Sequence, residues 1–234
     1  MKEIPILFSA PMVQSILEGR KTMTRRIAAV PVGDHNGIDI MDWGLSKHPY
    51  QNDGKWLYTV QTDVDDSHTF ELKDKYGKLG DILWVRENWF PAAINGNKVL
   101  IGVDKNDPNK TWEIETSDPT PYWKKLSRGC MIPSIHMPKE AARIWLQVTD
   151  VRVERLQDIS GEDVLAEGVG EKHRSGAKSM TTTGIDYRHW VANQKLRFQL
   201  LWSRINGLES WGANPWVWVI SFKILSTTGK PTYP

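Results

Sequence analysis

The chain has 234 residues, 40% hydrophobic and 25% charged, which is enough to bury a sizeable core and ordinary for a folded globular protein. Lys and Arg number 30 against 28 Asp and Glu, and the net charge of +2 excludes a polycation, so any nucleic-acid affinity has to come from a local patch. The single cysteine, Cys130, excludes an internal disulfide and fits a reducing compartment.

In chain order, residues 4–8 form a short apolar run suited to a strand. Ser9 is placed to cap a helix opening on Ala10 and Pro11, with Val13, Ile16 and Leu17 at helical spacing and Gly19 as its stop. Residues 21–27 alternate with β-branched threonines and predict a short extended segment. Residues 28–79 are rich in Gly, Asp, Asn, Lys and His, and predict a long insertion with one hairpin around KWLYTVQT. Gly80-Asp81 then turns into ILWVREN, a strand. Residues 91–132 read as a second irregular insertion, punctuated by Asp107-Pro108, Asp118-Pro119 and Thr120-Pro121. Residues 142–153 alternate as a long strand or bent pair. Ser160 with Asp163 predicts a capping box opening a helix that Gly168 ends. Residues 169–189 predict a mobile loop, 193–205 a helix, 216–225 a strand, and 226–234 a flexible tail.

The order of elements, with no regular βαβ alternation and no internal repeat, predicts an α+β fold around a small mixed sheet or barrel. The opening MKEIPILFSAPM has too short an apolar run for a secretory leader, and no stretch reaches the roughly 18 apolar residues a spanning helix needs. A cytoplasmic protein with no membrane partner is the expectation. Phosphate-cradling GxxxxGK[ST] and GxGxxG loops are absent, as are HExxH, CxxC and GxSxG, and the six histidines show no ligand spacing. Neither a cofactor nor a metal is expected.

Attention therefore falls on EGRKTMTRR, residues 18–26, where one lysine, two threonines and three arginines follow a predicted helix. Its Gly19-x-Lys21-x-x-Thr24-x-Arg26 string resembles the signature of the ASCH family, small β-barrel domains related to PUA RNA-binding domains. The Gly80-Asp81 turn into LWVRENW, the LQDIS-ED-LAEGV segment, PSIHMP, and the carboxy-terminal LW-RING-ESW-NPWVWVISF are similar to the larger ASCH proteins of bacteriophages and prophages. The resemblance implies one PUA-like small mixed β-barrel over residues 1–225, with a few flanking helices and insertions at about 28–79, 91–132 and 169–189. One small bacterial member of the family is an amidohydrolase that removes the acetyl group of N4-acetylcytidine. By resemblance to it, Thr24 is the nucleophile, Lys21 its activator and Glu167 the acid/base.

That chemistry is physically coherent. A threonine hydroxyl needs a nearby base to take its proton, and a lysine serves as one when neighbouring cations, here Arg20, Arg25 and Arg26, favour its neutral form. Glu167 precedes the Gly168 stop, where the helix dipole favours a protonated carboxyl, and Arg26 or turn amides can stabilise an oxyanion. The scheme requires Lys21 to stay in the turn, because an extended strand would send Lys21 and Thr24 to opposite faces. Candidate ligand contacts are Gly19, Arg20, Thr22, Arg26, Arg86, Glu87, Trp84 and Trp89: cations and Glu87 for polar edges, and two of the 12 tryptophans for base stacking. On the residues alone, Lys21, Arg20 and Arg26 are equally ordinary charges near a helix C-terminus, Thr24 a strand former, Glu167 a solvent-facing helix residue, and Glu87 half of an internal salt bridge. The expected ligand is a modified nucleoside or RNA. The alternatives are a non-catalytic RNA-binding module, an RNase using the same cleft, and a phage accessory or interaction protein.

Overall fold

The structure is a computed structural model that describes residues 1–28, 50–53, 55–63, 66–73, 75–94, 97–104, 107–115, 133–169 and 184–232. The described parts of the chain divide into two compact units. One comprises Met1–Thr22, Tyr76–Thr149 and Phe222–Pro234, the other Met23–Lys75 and Asp150–Ser221.

The strands are β1 (Glu3–Leu7), β2 (Met23–Ile27), β3 (Tyr50–Asn52), β4 (Lys55–Asp63), β5 (Asp66–Leu72), β6 (Ile82–Arg86), β7 (Trp89–Ile94), β8 (Asn97–Asp104), β9 (Asp107–Glu115), β10 (Trp145–Arg155) and β11 (Trp216–Ser226). The helices are α1 (Ala10–Leu17), α2 (Gly161–Ala166), α3 (Gly184–Asn206) and α4 (Glu209–Gly212). The fold is α+β, as expected: a mixed five-stranded sheet in the order β1-β6-β10-β11-β2, and two three-stranded antiparallel sheets, β3-β4-β5 and β7-β8-β9. The anticipated closed barrel is not found. Among the described residues the five-stranded order ends at β1 on one side and β2 on the other, and no ladder joins them.

In the first unit, β6 is the central run. Ile82, Leu83, Trp84 and Val85 are all buried, as a strand paired on both edges and covered on both faces should be. It pairs in parallel with β1 and antiparallel with β10, where Trp84 stands opposite Trp145. These two rings pack with Ile82 and Ala142. Helix α1 begins at the expected place, with Pro11 in its first turn, although the Ser9 side chain makes no capping bond. Gly19 adopts φ +70°, the left-handed turn that ends the helix and that residues with a Cβ adopt only at a cost.

In the second unit, β2 pairs antiparallel with β11 through Val217↔Ile27, Val219↔Arg25 and Ser221↔Met23. Met23, Val217 and Val219 pack with Leu156, Ile159 and Val164, and with Phe198 and Trp202 of α3. Ser160 caps α2 by accepting the Asp163 N–H at 3.0 Å, and Gly168 leaves the helix with φ +81°.

Three expectations are corrected. Of residues 91–132, expected to be irregular, the described ones from 91 to 115 belong to the β7-β8-β9 meander; Pro91 lies in β7 and Pro108 in β9, both at the edges of that sheet, where a missing N–H is tolerated. The hairpin around KWLYTVQT is found as expected, as β4-β5, with β3 added to its edge. Residues 184–189, assigned to a loop, are the first turns of α3, and residues 170–183 of that loop lie outside the described residues. The tail, expected to be flexible, is held at Gly229 and Lys230. Gly229 N–H donates to the Arg143 carbonyl at 3.0 Å, and Lys230 pairs with Glu3 at 2.9 Å and lies over the Trp145 ring. The 29–49 and 116–132 portions of the expected insertions, with Cys130, lie outside the described residues.

Candidate functional site

The turn after α1 is tied by one carbonyl: Ser15 O accepts the N–H groups of both Arg20 and Lys21, each at 2.9 Å. Lys21 thus stays in the turn and β2 begins only at Met23, the arrangement the chemistry requires. Its side chain exposes 0% of its surface, and its ammonium lies 5.6 Å from the centroid of the Phe8 ring, which in turn faces Phe222 at 6.1 Å. A merely solvated charge at a helix end would not be buried so completely. Arg20, by contrast, is exposed, and its Nε donates to Glu18 at 2.6 Å. The Glu18 carboxyl is held below its usual range by the Gln14 amide and then by Arg20. Thr22 is exposed, and its carbonyl accepts the Phe222 N–H at 2.8 Å.

Successive residues of β2 point to opposite faces. Thr24, also 0% exposed, and half-buried Arg26 share one face: Arg26 Nη1 donates to Thr24 Oγ1 at 2.9 Å and to the Arg25 carbonyl at 3.1 Å. A guanidinium donor on a hydroxyl oxygen favours the alkoxide over the alcohol, which is what a threonine nucleophile requires. Across the ladder, Ile220 stands opposite Thr24, and Trp218 opposite Arg26, with Trp56 of β4 meeting Trp218 edge-on at 5.8 Å. Trp218 is 2% exposed and Trp56 is half-buried.

On the other face lies Arg25, 2% exposed. Its guanidinium bonds Glu154 of β10, Asp163 in the first turn of α2 at 2.7 Å, and Glu167 just past the end of α2 at 3.4 Å, and it lies over the Phe198 ring. Arg152 supports two of the same carboxylates, Glu154 at 3.1 Å and Asp163 at 2.9 Å. Burial acts to lower the Arg152 pKa, but Glu154, and then Asp163 and Asp150, more than offset it and the balance is upward. Glu167 is 2% exposed and so is not the solvent-facing residue that the sequence also allowed. Asp163 does not complete the expected capping box by reaching back to Ser160. Its carboxylate goes to the two arginines, because charge-assisted bonds are stronger than a bond to a neutral amide.

The remaining predicted residues lie in the first unit. Glu87 is held by Arg143 in a two-point buried pair at 2.9 and 3.0 Å, the salt bridge that the sequence left open. Trp84 and Trp89 are 5% and 1% exposed, so neither ring presents a face to solvent, and Arg86 lies over Trp84 at 4.8 Å. Gly19 shapes the turn through its backbone alone.

The sequence reading left out Arg152, Glu154, Trp218 and Trp56, and gave Arg25 and Asp163 other parts, a cation beside Lys21 and half of a capping box, than the shared charge cluster they form. Asp150, Arg152 and Glu154 alternate with Val151 and Val153, placing three charges on one face of a strand. Asp163 and Glu167 are acids four apart, a repulsive pair unless a cation sits between them. Among the described residues no group of three or more His, Cys, Asp or Glu is arranged to hold a metal ion, and no helix is long and apolar enough to cross a membrane. Comparison with known proteins found no matching family model, no matching curated protein and no matching solved structure.

Proposed function

We propose that the protein is an ASCH-type, PUA-like protein that hydrolyses an N4-acyl amide on a cytosine nucleoside, with Thr24 as nucleophile, Lys21 as its activator and Glu167 as acid/base. The observation that carries this reading is burial. Lys21 and Thr24 expose 0% and Glu167 2%, so the three residues singled out by the resemblance are among the most enclosed polar residues of those described. Ionisable groups held out of water are characteristic of reacting sites. In the proposed reaction, Thr24 Oγ1 gives its proton to Lys21 and attacks the acyl carbonyl carbon. The carbon–nitrogen bond then breaks as the N4 amine takes up the proton held by Lys21, passed on by the Glu167 carboxylate. Water, giving a proton to Glu167 that goes on to Thr24 Oγ1, hydrolyses the threonine ester to release the carboxylic acid. Arg26, already donating to Thr24 Oγ1, stabilises the developing negative charge. Half-buried Trp56, seated edge-on against the buried Trp218, offers apolar contact for a base.

An RNA-binding groove is the weaker reading of the same turn. Of its cations, Lys21 and Arg25 are buried and Arg20 is paired with Glu18, so the turn offers no row of exposed charges for a phosphate backbone. The deciding experiment incubates the purified protein with N4-acetylcytidine and follows cytidine and acetate. Release that falls at least about a thousandfold in Thr24→Ala, but persists in Thr24→Ser, is expected for a hydroxyl nucleophile. No release from folded wild-type protein rejects this substrate, and shortening of an RNA oligonucleotide in a parallel incubation would instead indicate an RNase.

A further inference from the structure

Arginines that leave solvent need acceptors, because each carries five N–H donors and a charge it cannot lose. Among the described residues every buried or half-buried arginine but one has an oxygen partner. Arg25 and Arg152 bond carboxylates, Arg143 bonds Glu87, Arg26 bonds Thr24 Oγ1, and Arg155 donates to the Asn214 carbonyl at 3.2 Å. Arg86 is the exception. It is half-buried at the carboxyl end of β6, its Nε is sealed from solvent, and that atom has no hydrogen-bond partner. The adjacent carboxylate, Glu87, is already engaged at both oxygens by Arg143. Only the face of the guanidinium is occupied, by the buried indole of Trp84 at 4.8 Å.

Stacking on a fixed ring orients the guanidinium plane while leaving its two Nη groups, which are not sealed as Nε is, to act, the way arginine recognises planar pairs of oxygens. We infer that Arg86, held flat on Trp84, is a binding site for the oxyanion of a ligand, taking two oxygens of a phosphate or carboxylate group. This goes beyond the amide chemistry and does not depend on it. It also changes the role expected of Arg86 from reading a base edge to holding an anion.

The test uses the full chain labelled with 15N, following the arginine Nε–H signals and tryptophan fluorescence at constant ionic strength. Inorganic phosphate, cytidine 5′-monophosphate, acetate and uncharged cytidine are titrated separately. Saturable perturbation of the Arg86 signal by at least one of the three anions, weakened about tenfold or more in Arg86→Gln and partly kept in Arg86→Lys, is the expected result. A response to phosphate and the nucleotide but not to acetate identifies a phosphate site, and an equal response to acetate identifies a general oxyanion site. Linear, unsaturable shifts, responses unchanged in Arg86→Gln, or no response to any anion would overturn the inference. Arg86→Lys keeps the charge and serves as the binding control if Arg86→Gln does not fold.

Discussion

Replacing Arg25 with methionine separates the electrostatic from the apolar contribution of a side chain that is almost wholly out of water. The methionine suits the hydrophobic neighbours Met23 and Phe198 but takes one cation from three carboxylates, of Glu154, Asp163 and Glu167. Removing one partner of a buried ion pair costs about 3–5 kcal/mol. Arg152 still bonds Glu154 and Asp163, which places the expected loss toward the lower end, about 3 kcal/mol. For a chain of this size each kcal/mol moves Tm by about 2–4 °C, so a fall of about 6–12 °C is expected. Glu167→Gln leaves Arg25 with two carboxylates and should cost only about 1 kcal/mol. Urea and thermal unfolding followed by tryptophan fluorescence measure both. If Arg25→Met lies within about 1 kcal/mol of wild type, or Glu167→Gln costs more than Arg25→Met, the guanidinium does not organise this cluster in the way described.

Two further outcomes follow from ion pairs in the first unit. Glu87→Ala should lose about 3–5 kcal/mol by stranding Arg143, while the double change Glu87→Leu with Arg143→Met should recover most of it; a double variant no better than the single would show that the pair is not the source of the loss. The Glu3 carboxyl is held below its usual 4.5 first by the Lys139 hydrogen bond, against burial, and then by Lys230. Because the folded value is the lower one, the Glu3 contribution is present above the unfolded pKa and is lost as pH falls through the folded pKa. Glu3→Gln should therefore be less stable at pH 7, by up to about 1 kcal/mol after solvent screening, and should converge with wild type in acid. A deficit that persists in acid would contradict this.

Much of the fold is legible where one physical period dominates. The alternation in β10, the apolar run of β11, the Ser160 cap and the helical spacing of α1 and of residues 193–205 all emerge as read. The β7-β8-β9 meander does not, because its prolines sit in edge strands and carry the same local signal as turns. The Gly19 to Arg26 string is visible because its residues are close in sequence. Arg25 is not singled out, since its meaning depends on Asp163 and Glu167, 138 and 142 residues further along the chain. Burial has the same character. Nothing local distinguishes Lys21 at a helix end in water from Lys21 against Phe8.

The alternation of β2 divides selection along a single strand by the parity of the residue number. Even positions, Thr24 and Arg26, carry the hydroxyl proposed as nucleophile and its donor, while odd positions, Met23 and Arg25, carry the packing and the charge cluster. Substitutions at even positions act first on the hydroxyl and its donor, and those at odd positions act first on packing and on the carboxylates, Glu167 among them, that Arg25 holds. A one-residue deletion within the strand would exchange the two roles at every subsequent position, so length, more than composition, is what this segment cannot vary.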